Sequence, residues 1–162
     1  MPPPVHGHSS LTVRRLGAAD ILVLYPLIQH AFPEMERRRW MDVGRRMSAQ
    51  RKRPRQGILV AHYGTRGLPC AMATYRRDFD IRLGQVLTSD HCIVMTPGDA
   101  QHIMNAFHPA MTRLAQELGC HAMRTMQPIA KMTSQDPKVC PADHIVERTL
   151  LLTEINGFSP PA

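Results

Sequence analysis

The stretch 85–119 constrains the fold more than any other part of the chain. It begins with a strand-like run, 85–95, passes through a turn at 96–99 and continues as a long amphipathic segment ending at Gly119. Thr96 can cap this segment, with Pro97 as its first residue and Asp99 as the acid of a capping box. Apolar residues recur in it every three or four positions, which predicts one buried helical stripe: Ile103, Phe107, Met111, Leu114 and Leu118. A strand, a turn and a helix N-terminus can together offer backbone amides to an anionic ligand.

The rest of the chain alternates between helical and strand-like patterns. Asp20 is predicted to cap a helix over 21–32, which Pro26 interrupts, and a second helix is expected from Pro33 to about Ala49. The segments with the alternation or β-branched content of strands are 11–16, 57–63, 68–75, 86–95, 120–126 and 144–154. Residues 57–75 form a predicted hairpin, 76–83 either extend it or connect it onward, and 128–132 begin a short helix. Strand 120–126 is expected to run parallel to 86–95.

Composition bounds the class of protein. A chain of 162 residues with 43% hydrophobic content is about the size of one domain. Its four cysteines form no C-x-x-C pair, no apolar run approaches the ~18 residues of a membrane span, and no signal peptide is visible, so we expect a reduced cytoplasmic protein without membrane contact. We expect a flexible arm at 1–10, a domain at 11–156 and a tail at 157–162.

The net charge of +7 favours anionic partners, and much of it lies between Arg37 and Arg55. An arginine face is usually a solvated face, although it can also recognise an anionic substrate, a nucleic acid or a protein. Aromatic residues make up only 5% of the chain, which argues against base stacking and makes a nucleic-acid role the less favoured one.

The order of the predicted elements resembles the Gcn5-related N-acetyltransferase (GNAT) superfamily across about 11–155. The segment 11–20, with its capping Asp20, looks like the family's opening strand and helix. Residues 58–75 look like its second and third strands, and 114–126 look like the end of its cofactor helix and its fifth strand. The resemblance implies an α/β (α+β) fold: a single domain with a mixed, mostly antiparallel twisted sheet, flanked by helices and splayed between its fourth and fifth strands. It also implies acetyl-CoA or another acyl-CoA bound in that gap.

In the resembled family, the pyrophosphate of CoA is held by a Q/R-x-x-G-x-G/A loop, whose glycines admit the phosphates to the backbone. Counting back from Gly119 places this signature on 99–104, where Asp99 replaces the basic or amide residue and His102 and Met104 replace the glycines. The signature is therefore absent. Gly98 and the amides that follow it are the replacements. The cofactor-binding residues that the resemblance implies are Ile93, Val94, Met95, Gly98, Asp99, Ala100, Gln101, His102 and Met104.

The chemistry would need a group that takes a proton from the acceptor amine near the centre of the fourth strand. Asp90 and His91 are the candidates, and strand alternation would point at most one of them into the cleft. Segment 127–144 lacks the Tyr that family members often use as general acid. Cys92 and Cys120, with His91 and His121, lack the spacing of metal ligands, so we interpret both thiols as structural and expect no metal site.

The sequence thus predicts an N-acyltransferase acting on a small-molecule or peptide amine, with a divergent CoA loop. The alternative is a catalytically inactive GNAT-like module that binds a partner through the cleft or the basic surface. A homodimer is compatible with either reading.

Overall fold

The computed structural model describes residues 11–48, 55–64, 67–95, 98, 100–128 and 148–154. Several expectations lie wholly or mainly outside these residues. They concern the N-terminal arm, the positions Thr96, Pro97 and Asp99, a helix at 128–132, the start of the last strand and the C-terminal tail. The rest of the chain forms one mixed sheet with helices on both faces.

Within the described residues the sheet contains seven strands, which are β1 Leu11–Arg15, β2 Gln56–Tyr63, β3 Pro69–Asp80, β4 Gly84–Ser89, β5 Cys92–Val94, β6 Ala122–Pro128 and β7 Arg148–Glu154. They are ordered β1-β2-β3-β4-β6-β7, with β5 also paired to β3. Of these seven strands β4 and β6 pair in parallel, and the other pairs are antiparallel. The predicted hairpin is confirmed, and its second strand continues to Asp80. The predicted mixed, mostly antiparallel sheet is confirmed as well.

Helices cover the two faces of the sheet separately. They are α1 Ala18–Val23, α2 Tyr25–Ala31, α3 Arg37–Ser48 and α4 Ala100–Glu117. One buried cluster joins α1, α2 and α3 to Ile58, Val60 and Met72, and the other joins α4 to Leu59, Ala61 and Ala73. Side chains of a strand alternate between faces, so successive residues of β2 belong to different clusters.

The first helical region departs from prediction at its start and agrees with it at the interruption. Asp20 does cap, but from inside the helix: α1 begins at Ala18, and the Asp20 carboxylate accepts a hydrogen bond from the Gly17 amide at 2.9 Å. A carboxylate at the third helical position can do this because the preceding backbone amides are free. The interruption near Pro26 is confirmed, since α1 ends at Val23 and α2 begins at Tyr25.

The expected start of the second helix at Pro33 is wrong, because α3 begins at Arg37. The Met35 amide donates to the Phe32 carbonyl, and the Tyr25 hydroxyl donates to the Met35 carbonyl at 3.3 Å. Phe32 and Met35 both pack against the α1–α3 cluster. These tertiary contacts hold the segment as a turn and override its local helical signal.

The long helix behaves as its periodicity predicts. Its apolar stripe is buried: Ile103, Phe107, Met111, Leu114 and Leu118. Gly119 ends it with φ +66°, a left-handed conformation that glycine adopts without strain, and the Cys120 amide donates to the Ala115 carbonyl at 2.8 Å. Pro109 lies inside α4. Among the described residues, no helix combines the length and apolar character needed to cross a bilayer.

Candidate functional site

A β-bulge divides the predicted strand 86–95 into β4 and β5. Arg76 of β3 pairs with Thr88, whereas Ala73 of β3 pairs with Cys92. Between these pairs β3 contributes two residues and the opposite strand three, Ser89, Asp90 and His91, so one residue is extra. The bulge is fastened to Thr74: the Thr74 amide donates to the His91 carbonyl at 2.9 Å, and the His91 amide donates to Thr74 Oγ1 at 3.1 Å.

The extra residue changes which side chains face α4. In a regular strand Ser89 and Cys92, three positions apart, would lie on opposite faces. Here both line the same cavity beside α4. At most one of Asp90 and His91 was expected to point into the cleft, and neither side chain lines this cavity.

Asp90 and His91 instead make contacts on other sides of the bulge. An Asp90 carboxylate oxygen lies 3.3 Å from Arg76 Nε, which also lies 3.0 Å from Asp78. The His91 ring meets Phe32 of the α1–α3 layer edge-on, with centroids 5.6 Å apart. The Asp90 side chain remains 34% exposed, so its carboxylate is open to an approaching molecule.

The sheet splays apart at the bulge, where β4 and β6 stop pairing, and this point is called the parting. Parallel pairing of β4 with β6 ends at Ser89 and Thr125. From there β5 continues along β3, while β6 continues along β7 to Pro128. The predicted splay between the fourth strand of the sequence pattern and the fifth thus falls at the Ser89–Thr125 pair, between β4–β5 on one side and β6 on the other.

A cavity of about 360 Å³ lies at this parting, closed on one side by α4. Its walls come from β3, from both sides of the bulge, from β6 and from the first three turns of α4. The lining residues are Ala73, Ser89, Cys92, Gln101, Met104, Asn105, Phe107, His108, Met111, Met123 and Thr125. Its volume falls within the ~300–1,000 Å³ typical of small-molecule sites.

Polar and apolar groups occupy different parts of the cavity wall. Gln101, Asn105 and His108 are exposed and form a rim along one face of α4. Phe107 and Met123 are buried and belong to the apolar floor. A ligand with a polar portion at the rim and an apolar portion at the floor would match both.

Cys92 is the ionisable group set deepest into this wall. Its Sγ lies 3.2 Å from Met104 Sδ. Burial raises the pKa of the Cys92 thiol from the usual 9.0 to about 11, because a thiolate loses its hydration there. Burial also raises the pKa of Cys120, although Arg77 opposes this. Both thiols are free and protonated at neutral pH, and no group of three or more His, Cys, Asp or Glu side chains among the described residues could hold a metal ion.

The predicted cofactor residues separate into three sets. Gln101 and Met104 line the cavity. Gly98 and Ala100 lie at the start of α4, His102 is exposed without lining the cavity, and Asp99 lies outside the described residues. The β5 residues divide between the two faces: Ile93 packs against the α1–α3 cluster, Val94 packs against the α4 cluster, and Met95 is exposed.

Sequence reasoning missed most of the cavity wall. Phe107 and Met111 were predicted only as part of the buried helical stripe, and six lining residues carried no prediction of a site: Ala73, Ser89, Asn105, His108, Met123 and Thr125. The i, i+4 and i+7 spacing of residues 101, 105 and 108 does place three polar side chains on one face of α4 at its N-terminal end. That spacing could have indicated the rim.

The sheet face opposite α4 carries a row of charged and polar groups beside the parting. Thr88 pairs with Arg76 on one side and Arg124 on the other. Arg124 Nη2 donates to Asp80 at 2.6 Å. Thr88 Oγ1 and Arg124 Nε are both buried, and neither has a hydrogen-bond partner among the described residues. Unpaired buried polar atoms are uncommon, so this row is a second polar region next to the point where β4 and β6 separate.

The basic helix α3 lies on the α1–α3 layer, on the far side of the sheet from the cavity. Its five arginines are exposed: Arg37, Arg38, Arg39, Arg45 and Arg46. Among the described residues only Arg45 of these five has a carboxylate partner, Asp42 at 3.2 Å. The basic surface is thus separate from the cavity.

Solved structures of acetyltransferases share this architecture. AAC(6')-Iy, bound to the bisubstrate analog CoA-S-monomethyl-acetylneamine, matches with a TM-score of 0.62 and 15% identity, over 78% of this chain and 86% of that one. The aminoglycoside 6'-N-acetyltransferase AAC(6')-Ih from Acinetobacter baumannii gives 0.60 and 13%, over 78% and 83%. A ribosomal-protein-alanine N-acetyltransferase from Brucella melitensis gives 0.55 and 15%, over 72% and 80%. No protein-family model and no curated protein sequence matches the chain.

These structures have the GNAT fold, and so does this chain. The resemblance seen in the element order is confirmed at the level of architecture.

Proposed function

We propose that this protein is an acyl-CoA-dependent N-acyltransferase that transfers an acyl group to a primary amine. The observation that carries the proposal is the loss of β4–β6 pairing beyond Ser89 and Thr125, with a cavity at that point. The neighbours of this fold include a protein solved with a CoA-containing analog. An activated thioester would supply the acyl group, and the chain's own residues would bind and orient it.

The cavity fits the thiol-bearing arm of CoA. That arm is a thin chain of amides and methylenes, so it needs hydrogen-bonding groups at the wall and apolar surface beneath them. The rim residues Gln101 and Asn105 supply donors and acceptors, and Ser89 adds a buried hydroxyl where the strands part. Met104 and Phe107 supply the apolar surface.

The anionic end of CoA would meet the N-terminus of α4, where the first backbone amides have no partner within the helix. No atom of the described residues lies within 4 Å of a Cβ built at Gly98, so these residues leave phosphate groups room to approach the backbone at this position. The first two turns of α4, residues 100–107, contain no Lys or Arg. We therefore expect the amides to bind the pyrophosphate without side-chain cations, and CoA to bind weakly through this divergent loop.

The acceptor would approach from the sheet face that carries Asp90. The proposed acceptor class is an amine, in keeping with the acetylneamine analog bound by AAC(6')-Iy. An amine becomes nucleophilic only after losing a proton, which a carboxylate or imidazole can accept directly or through water. We assign this role to Asp90, which is partly exposed next to the parting, with His91 as the second candidate.

Calorimetric titration of the full chain with CoA and with acetyl-CoA tests the proposal. Replacing Met104 by Trp should fill the cavity and abolish binding, because this side chain lines it. The matched control is Leu22→Trp, which adds the same ring at an exposed site on α1. If millimolar CoA and acetyl-CoA give no binding heat with the wild-type protein, the proposal is wrong.

The proton-transfer assignment has its own test, in which release of the CoA thiol is followed with a panel of amines. Asp90→Asn should reduce turnover and leave the affinity for CoA unchanged, since this side chain does not line the cavity. His91→Gln provides the comparison. Full turnover by both variants would contradict the assignment of either residue.

A further inference from the structure

The floor of the cavity is wider than an acetyl group requires. Below the polar rim lie Ala73, Cys92, Phe107, Met111 and Met123. Of these side chains Phe107 and Met123 are 2% and 4% exposed, so the floor is nearly closed to solvent. An acetyl group has a single methyl beyond its carbonyl and would contact only a small part of this surface.

The space in the cavity floor next to the sheet depends on one small side chain, that of Ala73. Ala73 pairs with Leu59 of β2 on one side and with Cys92 of β5 on the other. These three residues belong to the cluster packed under α4. A larger side chain at position 73 would project into the floor, so the alanine leaves space between two bulkier neighbours.

Thioether side chains form much of the remaining wall. Met104 closes the cavity beside Cys92, with the two sulfur atoms 3.2 Å apart, and Met111 and Met123 lie farther in. Methionine has three rotatable bonds and a polarizable sulfur, so it adjusts to ligands of different length. Such a wall suits a flexible alkyl chain better than a ligand of one fixed shape.

We propose that the apolar floor of this cavity is an acyl-chain pocket, and that the protein prefers a CoA thioester with an acyl chain longer than acetyl. The inference rests on the proposed function and adds the chemical class of the acyl donor. The thioester carbonyl lies between the rim and the floor, beside Ser89 and Thr125, the last paired residues of β4 and β6. The alkyl chain enters between Ala73 and Phe107.

Titration of the wild-type protein with free CoA and with acetyl-, butanoyl-, hexanoyl- and octanoyl-CoA tests this pocket without an acceptor. Each methylene that enters the apolar floor should tighten binding by about fourfold. We expect affinity to rise from acetyl- to hexanoyl-CoA and to stop rising once the floor is full.

Ala73→Val identifies the pocket, because a β-branched side chain suits a strand and fills the floor. It should remove the gain from longer chains and leave the affinity for free CoA within about twofold. Ala71→Val is the matched control: Ala71 is also buried on β3 under α4, but it does not line the cavity. It should keep the dependence on chain length. Thermal unfolding of both variants checks that they fold.

The outcomes separate the two proposals. If free CoA binds to the wild-type protein and affinity is flat or falls beyond acetyl-CoA, the acyl-chain pocket is wrong while the proposed function stands. If neither free CoA nor any thioester binds at millimolar concentration, the proposed function falls, and the pocket falls with it.

Discussion

The thiol of Cys92 should react with alkylating agents in a way that reports its burial. Burial raises its pKa from the usual 9.0 to about 11, and no cationic side chain contributes to the shift. The side-chain atom 3.2 Å from its Sγ is the sulfur of Met104, which has no proton to donate to a thiolate. The perturbation is a pH series of iodoacetamide labelling on the folded protein.

The magnitude follows from the thiolate fraction. At pH 8 a thiol with a pKa near 11 is only about 0.1% ionised, against about 9% for one with a pKa of 9, roughly a hundredfold difference. A more basic thiolate is intrinsically more nucleophilic, and this raises its rate constant by about six- to tenfold, which offsets part of the difference in ionisation. Cys92 should therefore react about tenfold more slowly than an ordinary thiol at pH 8, before any effect of restricted access.

The pH slope distinguishes ionisation from access. Between pH 8 and 10 the rate at Cys92 should rise about ninetyfold, whereas an ordinary thiol rises only about tenfold because its titration is nearly complete. The assay is quantitative mass spectrometry of the Cys92 peptide over time, with the urea-unfolded chain as the ordinary-thiol reference. A tenfold rise in the folded protein would refute the reasoning, even if the absolute rate were low.

Three further changes test the packing. Gly44→Ala should destabilise the protein by about 1 kcal/mol in urea unfolding, because the new methyl overlaps Ile21 and overpacking outweighs the gain in helix propensity; a gain in stability would contradict the α1–α3 packing. Asp20→Ala should cost about 2–3 kcal/mol, since it removes a helix cap and a buried ion-pair partner, while the exposed Asp42→Ala should change stability by less than about 0.5 kcal/mol. Hydrogen bonds from the Arg82 amide, from Arg124 and from the Leu83 amide lower the pKa of Asp80 below 3.8, so its stabilising contribution is present above pH 3.8 and is lost as the pH falls through its folded value. Asp80→Asn should therefore weaken the protein at pH 7, and its difference from the wild type in urea unfolding should shrink as the pH is lowered below 3.8.

Periodic patterns made much of the fold predictable. The apolar stripe of α4 has a regular spacing, and Gly119 follows it as a stop, so both the helix and its end could be read from the sequence. The hairpin of β2 and β3 has the same kind of local signal. Their order along the chain was then enough to indicate the architecture.

The predictions that were wrong concern segments whose structure depends on tertiary contacts. The turn before α3 is held by Tyr25 and Met35, which lie ten positions apart. The bulge after Ser89 depends on hydrogen bonds between Thr74 and His91, seventeen positions apart. Neither interaction has a local sequence signature, so an unbroken helix start and an unbroken strand were the natural expectations.

The candidate site was predictable in place but not in composition. The region around 85–119 contains the parting of the strands and the start of α4, as expected. The cavity wall, however, also draws on Ala73 and on Met123, which belong to strands that reach the site only through the sheet register. Their contribution depends on which strands are neighbours, and a linear pattern carries no such information.

The bulge also makes the cavity wall independent of Asp90. Deleting Asp90 alone would restore two residues opposite two on β3 and place Ser89 and Cys92 two positions apart, on the same face of a regular strand. Cys92 would stay opposite Ala73 and Ile93 opposite Met72, so every side chain of β5 would keep its present face. A single codon deletion could therefore remove the proposed proton acceptor from a lineage and leave the walls of the pocket in place.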